Sequence, residues 1–189
     1  MNSNVNISVV VPSYNECESL PELCAWIRRV MEKEAYTYEI IIVDDGSTDG
    51  TWRCVRDLSS SDSCIHGIRF RRNYGKSAAL YCGFEKAAGG VVITMDADLQ
   101  DSPDEIPELY NMIVRDGYDV VSGWKQHRKD NALTKNLPSK LYNATARMIT
   151  GIKLHDMNCG LKAYRSDVVK SIEVYGEMHR YIPYLAKNA

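Results

Sequence analysis

Apolar residues come in short, β-branched bursts along this chain: VNISVVV at 5 to 11, YEIIIVD at 38 to 44, CIHGIRF at 64 to 70, VVITM at 91 to 95 and YDVVSG at 118 to 123. Runs this short, apolar at nearly every position rather than every second one, predict strands covered on both faces of a sheet. The intervening segments change to a helical period. After Ser19-x-x-Glu22, a capping-box signature, Leu20, Leu23, Ile27, Val30 and Met31 recur at helical spacing, and segments 48 to 58, 77 to 88 and 103 to 115 read the same way. Ser102-x-x-Glu105 is a second capping box, with Pro103 suited to the first helical position and Pro107 predicting an irregular first turn. Strand and helix alternate, which predicts an α/β fold with a Rossmann-like, mostly parallel sheet flanked by helices in a single domain over residues 1 to 189.

In such sheets ligands bind beyond the carboxyl ends of the strands. Here PSYNE follows the first strand, DDGSTDG the second, RRNYGK the third and DADLQD the fourth, so the polar loops share one edge. The stretch MDADLQDSPDE, residues 95 to 105, is the most acidic of these. If the strand runs that far, Asp96, Asp98 and Gln100 share one face and converge three oxygen-bearing groups. Close carboxylates need a cation, a shared proton or solvent, and ligands of this type suit Mg²⁺ or Mn²⁺. Asp104 and Glu105 are better explained by helix entry and the macrodipole, while Asp101 stands between loop and site.

Composition narrows the partners. With 189 residues, 44% hydrophobic and 25% charged, the chain can bury one ordinary core, and the net charge of -2 gives no nucleic-acid footprint. Six cysteines without a C-x-x-C pair read as reduced thiols in a cytosolic protein. The N-terminus lacks the charged n-region of a signal peptide, and no run reaches the roughly 18 apolar residues of a membrane span. These features predict a cytoplasmic or peripheral protein.

Two motif matches fail. Asp45, Ser47, Asp49 and Gly50 imitate an EF-hand loop, but its twelfth position is Arg56 instead of a bidentate Glu. Gly75-Lys76-Ser77 imitates the end of a P-loop, but the first glycine position is Phe70. With no G-x-G-x-x-G either, ATPase and dinucleotide-dehydrogenase readings drop out.

Taken in order, VVVPSYNE, VDDGSTDG, RRNYGKSAAL, MDADLQD and HDMNCGLKAYR resemble the family 2 glycosyltransferases, whose catalytic domain has the GT-A fold. The blocks SGWKQHRKD, KLHDMNCGLKAYR and GEMHRYIPYLA resemble the subgroup of dolichol-phosphate mannosyltransferase and the bacterial polyprenyl-phosphate sugar transferases. The resemblance runs from about residue 5 to about residue 187. It implies a sugar-nucleotide donor, a divalent cation bound through D-x-D, and inversion at the anomeric carbon. It also implies that Pro12, Tyr14 and Glu16 border the nucleotide, that Asp44 contacts the base and that Asp45 begins the turn holding this wall. Lys76 is expected near the base or phosphates, against the alternative of a solvated lysine opening a helix; Arg71 and Arg72 carry the same pair of readings. Asp96 is expected near the ribose or sharing the metal, Asp98 as a direct ligand and Gln100 as a further one.

Such a cation stabilises charge on the departing diphosphate: with an effective dielectric near 20, a unit-charge pair about 4 Å apart is worth roughly 4 kcal/mol before desolvation. A hydroxyl acceptor needs a general base, for which Asp156 is the candidate and His155 the second. A polyprenyl phosphate arrives anionic and needs a positive pocket instead. Lys125, Arg128, Lys129, Lys135 and Lys140 form the densest basic segment, joined by Arg165 and Arg180, and Arg128 is the candidate nearest the chemistry. In that setting Asp156 orients the acceptor pocket. The segment 176 to 189 reads as a short amphipathic helix carrying Met178, Ile182 and Leu185. In the resembling subgroup hydrophobic helices come after such a segment, so the expectation is either a membrane anchor beyond residue 189 or a soluble variant.

The expected function is therefore transfer of a hexose from a UDP- or GDP-sugar to a polyprenyl phosphate at the cytoplasmic face of the inner membrane. A saccharide hydroxyl acceptor and a nucleotide-binding module without catalysis are the alternatives.

Overall fold

The computed structural model describes residues 5–123 and 159–172. Among the described residues six strands form one sheet: β1 (Ile7–Ser13), β2 (Tyr38–Asp44), β3 (Ile65–Arg69), β4 (Val91–Thr94), β5 (Val120–Ser122) and β6 (Lys162–Arg165). The helices are α1 (Leu20–Lys33), α2 (Thr51–Ser61), α3 (Lys76–Lys86), α4 (Ile106–Val114) and α5 (Ser166–Ser171), with a 3₁₀ turn at Pro103–Glu105.

Sheet order is β3-β2-β1-β4-β6-β5. β1 pairs in parallel with β2 and β4, and β2 with β3, whereas β6 runs antiparallel to both β4 and β5. The mixed α/β architecture matches the sequence expectation, and the strand positions agree to within two residues. The reversed strand β6 was not legible: LKAYR is too short, and half of it too polar, to advertise a buried strand. Its insertion separates β4 from β5.

Residue alternation divides the core in two. Val9, Val11, Ile40, Ile42 and Ile93 pack with Leu23, Ile27 and Met31 of α1 and Val55 of α2, while Val10, Ile41, Val43 and Val92 pack with Leu80 and Phe84 of α3. Both faces are covered, which is why these strands are apolar throughout. Two polar exceptions, Ser8 and Glu39, lie at the amino ends of β1 and β2. Glu39 is buried, accepting Ser8 Oγ at 2.5 Å and Ala88 N at 2.7 Å, while Ser8 Oγ accepts Gly89 N at 2.8 Å.

The two capping boxes resolve differently. Ser19 already has helical dihedrals, makes no side-chain cap and donates instead to the Glu16 carboxylate at 2.8 Å, so the expected reciprocal cap is absent there. Ser102 is extended and accepts Asp104 N at 3.3 Å; Pro103 opens the 3₁₀ turn, and the α-helix begins only at Ile106. Asp104 also accepts from Trp26 Nε1 at 3.1 Å, fastening this turn to α1.

None of the six cysteines forms a disulfide, and burial lifts the thiol pKa of Cys24 to about 12. Among the described residues, no helix is long and apolar enough to cross a membrane. The expected helix at 176 to 189 lies outside the described residues.

Candidate active site

Chain order from β1 leads outward to β2 and β3 on one side and to β4 on the other, so the loops after β1 and β4 diverge and leave a crevice. A pocket of about 310 Å³ opens there, lined by Pro12, Ser13, Tyr14 and Glu16 after β1, Asp45 after β2, Asn73, Gly75, Lys76 and Ala79 around the start of α3, and Asp96, Ala97 and Asp98 after β4. Six of the predicted residues, Pro12, Tyr14, Glu16, Lys76, Asp96 and Asp98, thus meet in one cavity.

Loop-to-loop hydrogen bonds hold its walls. Asn15, at φ 59°, receives Thr48 N on its side chain at 3.0 Å and donates its own N–H to Ser47 Oγ at 2.9 Å; Glu16 N donates to Thr51 Oγ1 at 2.8 Å. The carboxylate of Asp45 takes Tyr74 N at 2.7 Å and Gly75 N at 2.9 Å. Beside it Gly46, at φ 73°, lies so close under the next loop that a Cβ would stand 2.6 Å from Arg72 Cα and 2.7 Å from Asn73 N. Only glycine satisfies both that conformation and that contact.

The acidic loop departs from the expected alternation. β4 ends at Thr94, and residues 97 and 98 turn, with Leu99 at φ 60°. Asp96, Asp98 and Gln100 therefore do not share a strand face. Asp96 and Asp98 both reach the pocket; Gln100 is exposed and does not line it, contributing instead its N–H to Asp98 Oδ1 at 3.1 Å. Across the pocket Lys76 Nζ stands 2.5 Å from Asp96 Oδ1.

Asp44 also differs from expectation. It is fully buried and does not line the pocket; Oδ1 accepts Ser47 N at 3.0 Å and Oδ2 faces Arg69 Nε at 3.7 Å. Its neighbour Asp45 supplies the pocket carboxylate from this turn. Asp49 turns to α2, where hydrogen bonds, first from the Thr51 hydroxyl, hold its carboxyl below the usual range. Arg165 is not brought to the site. It sits beside Val91, at the amino end of β4, and pairs with Asp119 at 2.7 Å and Asp167 at 2.6 Å. Lys125, Arg128, Lys129, Asp156 and Arg180 lie outside the described residues.

The strand that sequence reasoning missed contributes to the site from behind. Thr94 Oγ1 donates to Gly160 O at 2.8 Å, and a Cβ on Gly160 would stand 2.5 Å from Asp96 Cγ and 2.9 Å from Asp101 Oδ2. Lys162, also buried, donates its ammonium to Cys159 O. The signal in the sequence was CGLK itself, whose glycine has meaning only once Asp96 is placed against it.

The donor set fits a hard divalent cation. Asp96 already holds a cationic ammonium, Asp98 is exposed with one backbone N–H on one oxygen, and two carboxylates suffice when water and phosphate complete the shell.

A family model described as "Glycosyl transferase family 2" matches residues 8–173. The chain belongs to that family. Among similar curated proteins are an undecaprenyl-phosphate 4-deoxy-4-formamido-L-arabinose transferase of Pseudomonas fluorescens, 42% identical over 96% of this chain and 53% of its own length, and a dodecaprenyl-phosphate galacturonate synthase of Rhizobium johnstonii, 37% identical over 95% and 54%. The chain spans about half the length of these relatives. Among solved structures, a glucosyl-3-phosphoglycerate synthase of Mycobacterium tuberculosis with Mn²⁺, uridine diphosphate and phosphoglyceric acid superposes with a TM-score of 0.68, at 22% identity over 89% of this chain and 58% of that one. A mannosyltransferase of Pyrobaculum calidifontis with GDP-Man and Mn²⁺ gives 0.63, at 21% identity over 90% and 47%. Those likenesses establish the GT-A glycosyltransferase fold for this family 2 domain.

Proposed function

We propose that this chain is the catalytic domain of a metal-dependent, inverting glycosyltransferase that moves a sugar from a UDP- or GDP-sugar to a polyprenyl phosphate at the cytoplasmic face of the inner membrane. The observation that carries it is the convergence of the four predicted loops on one pocket, with Asp96 and Asp98 opposite Lys76. Two curated relatives, named as transferases or synthases on polyprenyl phosphates, support the acceptor class. Their sugars, galacturonate and a formamido-arabinose by name, widen the donor beyond the simple hexose expected from the sequence.

Pro12, Tyr14 and Glu16 border the nucleoside, with Glu16 oriented by the Ser19 hydroxyl and by the bond from its own N–H to Thr51. Asp45 supports this function by fixing the backbone that presents Lys76. Mg²⁺ or Mn²⁺, when held by Asp98 with Asp96 sharing it or binding the ribose, supplies Lewis-acid stabilisation of the leaving diphosphate. Gln100 serves through its backbone, keeping the Asp98 carboxylate in place. An anionic lipid phosphate needs no base, so Asp156 orients the acceptor pocket while Lys125, Arg128, Lys129 and Arg180 bind the phosphate.

Incubation of the chain with labelled sugar nucleotides, Mg²⁺ or Mn²⁺, and either undecaprenyl phosphate or free saccharides tests this reading. Label should pass to the lipid phosphate. Transfer to saccharide hydroxyls alone would sink the acceptor assignment, and nucleotide binding with neither transfer nor donor hydrolysis would sink catalysis.

A further inference from the structure

Asp96 is ion-paired within the pocket. Its partner, Lys76, is the single cation among the described pocket-lining residues, set against the carboxylates of Glu16, Asp45, Asp96 and Asp98. Asp45 is committed to two backbone N–H groups, and Glu16 accepts the Ser19 hydroxyl. The ammonium therefore neutralises a carboxylate that shares the pocket with Asp98, the expected metal ligand. A divalent ion entering alone must settle beside, or displace, a like charge already seated on Asp96. An ion arriving with a nucleoside diphosphate brings the ammonium a new anionic partner.

We propose that Lys76 is a place-holding counter-ion: it neutralises Asp96 through their ion pair, and it releases that carboxylate only when a diphosphate draws the ammonium away. Metal and nucleotide then bind as a pair, each weak without the other. The inference rests on the reading of this pocket as a sugar-nucleotide and metal site. The local build suits that role, because the backbone is held while the side chain is only partly enclosed. Lys76 is the first residue of α3; the preceding Gly75, at φ 91°, is pinned by Asp45, yet the lysine side chain remains 36% exposed. A lysine offers a compact charge on a flexible stem, able to exchange one oxygen for another. Reciprocity of coupling requires that a diphosphate tighten the metal as much as the metal tightens the diphosphate.

The test measures Mn²⁺ binding to the full chain by electron paramagnetic resonance without nucleotide, then UDP and GDP binding with Mn²⁺ present. It compares wild type, Lys76→Met, Lys76→Arg, Asp96→Asn and the Lys76→Met/Asp96→Asn double variant. Lys76→Met should tighten Mn²⁺ alone about tenfold, within the usual range of coupling between sites, while weakening the diphosphate. Lys76→Arg should keep metal-only binding weak, and in Asp96→Asn the Lys76→Met change should no longer matter. An unfolded variant cannot imitate a gain of affinity; Lys76→Gln provides a second neutral replacement.

If Lys76→Met leaves Mn²⁺ binding unchanged or weaker, the place-holding role is overturned. The same holds if its gain persists in Asp96→Asn, since that would be bulk repulsion. A wild-type chain that binds nucleotide with Mn²⁺ but shows either result loses this inference alone. A wild-type chain that binds no nucleotide with Mn²⁺ loses the proposed function as well.

Discussion

Gly160 lies flush against the carboxylate of Asp96: a Cβ there would stand 2.5 Å from Asp96 Cγ. The loop entering the reversed strand β6 thus forms the back wall of the acidic loop. Gly160→Ala should leave the fold intact, because the atoms in its way belong to the Asp96 and Asp101 side chains and not to backbone. The group that moves is Asp96. Sugar transfer should fall by roughly a hundredfold, the usual consequence of a displacement of about 1 Å in a catalytic group, with a melting temperature near that of wild type. Steady-state rates beside a thermal melt check both halves.

Asp45 joins two loops through one carboxylate. In Asp45→Asn one oxygen remains an acceptor, but the amide –NH₂ must face a backbone N–H. Leaving a buried donor without an acceptor costs about 1–3 kcal/mol, and each kcal/mol lowers the melting temperature of a domain this size by roughly 2–4 °C. Donor affinity should fall together with stability, since the Tyr74–Gly75 backbone carries Lys76. Calorimetric titration with UDP- and GDP-sugars measures the affinity.

Glu39 offers the opposite signature. It lies at the amino end of β2, away from the pocket, and Glu39→Ala removes the acceptor that Ser8 Oγ and Ala88 N share. Stability should drop by about 2–4 kcal/mol, while Mn²⁺-dependent nucleotide affinity of the folded protein stays unchanged. Glu39→Gln, which keeps an acceptor, should recover part of the loss. Chemical denaturation of the three proteins reads the difference.

Arg165 tests the correction to the basic group. Being paired with Asp119 and Asp167 at the far end of β4, it should be replaceable by Ala with no change in donor or acceptor kinetics. Its hydrogen bond and charge hold the Asp167 carboxyl below the usual range. A carboxyl lowered by folding stabilises above its ordinary pKa and loses that contribution as pH falls through the lowered value. The wild-type advantage over Arg165→Ala should therefore be present at neutral pH and vanish in acid. Melts across that pH range test the sign.

Much of this was legible in the chain. The apolar bursts located β1 to β5, and the rule that ligands gather at carboxyl ends of parallel strands drew Pro12, Tyr14, Glu16, Lys76, Asp96 and Asp98 together. Pairing with β4 is set by contacts across some 70 residues of sequence, so β6 carried no local signal. Strand alternation does not reach Asp98 and Gln100, because apolar character stops one residue after Thr94 and the turn at Leu99 re-aims the residues beyond it. Asp44 and Asp45 are chemically identical buried neighbours, and only the direction of the strand's last residue decides which of them meets the pocket. Whether a serine caps depends on its own dihedrals, which Ser19 and Ser102 resolve in opposite ways.

Everything proposed for this pocket depends on a divalent cation on Asp98 that couples it to a sugar nucleotide. The direct measurement is calorimetric titration of UDP- and GDP-sugars into wild type and Asp98→Ala, with and without Mn²⁺. One nucleotide class should bind wild type in a Mn²⁺-dependent way, and Asp98→Ala should lose that dependence without losing the folded state. Equal affinity with and without Mn²⁺, or an undiminished Mn²⁺ response in Asp98→Ala, would refute the coupling.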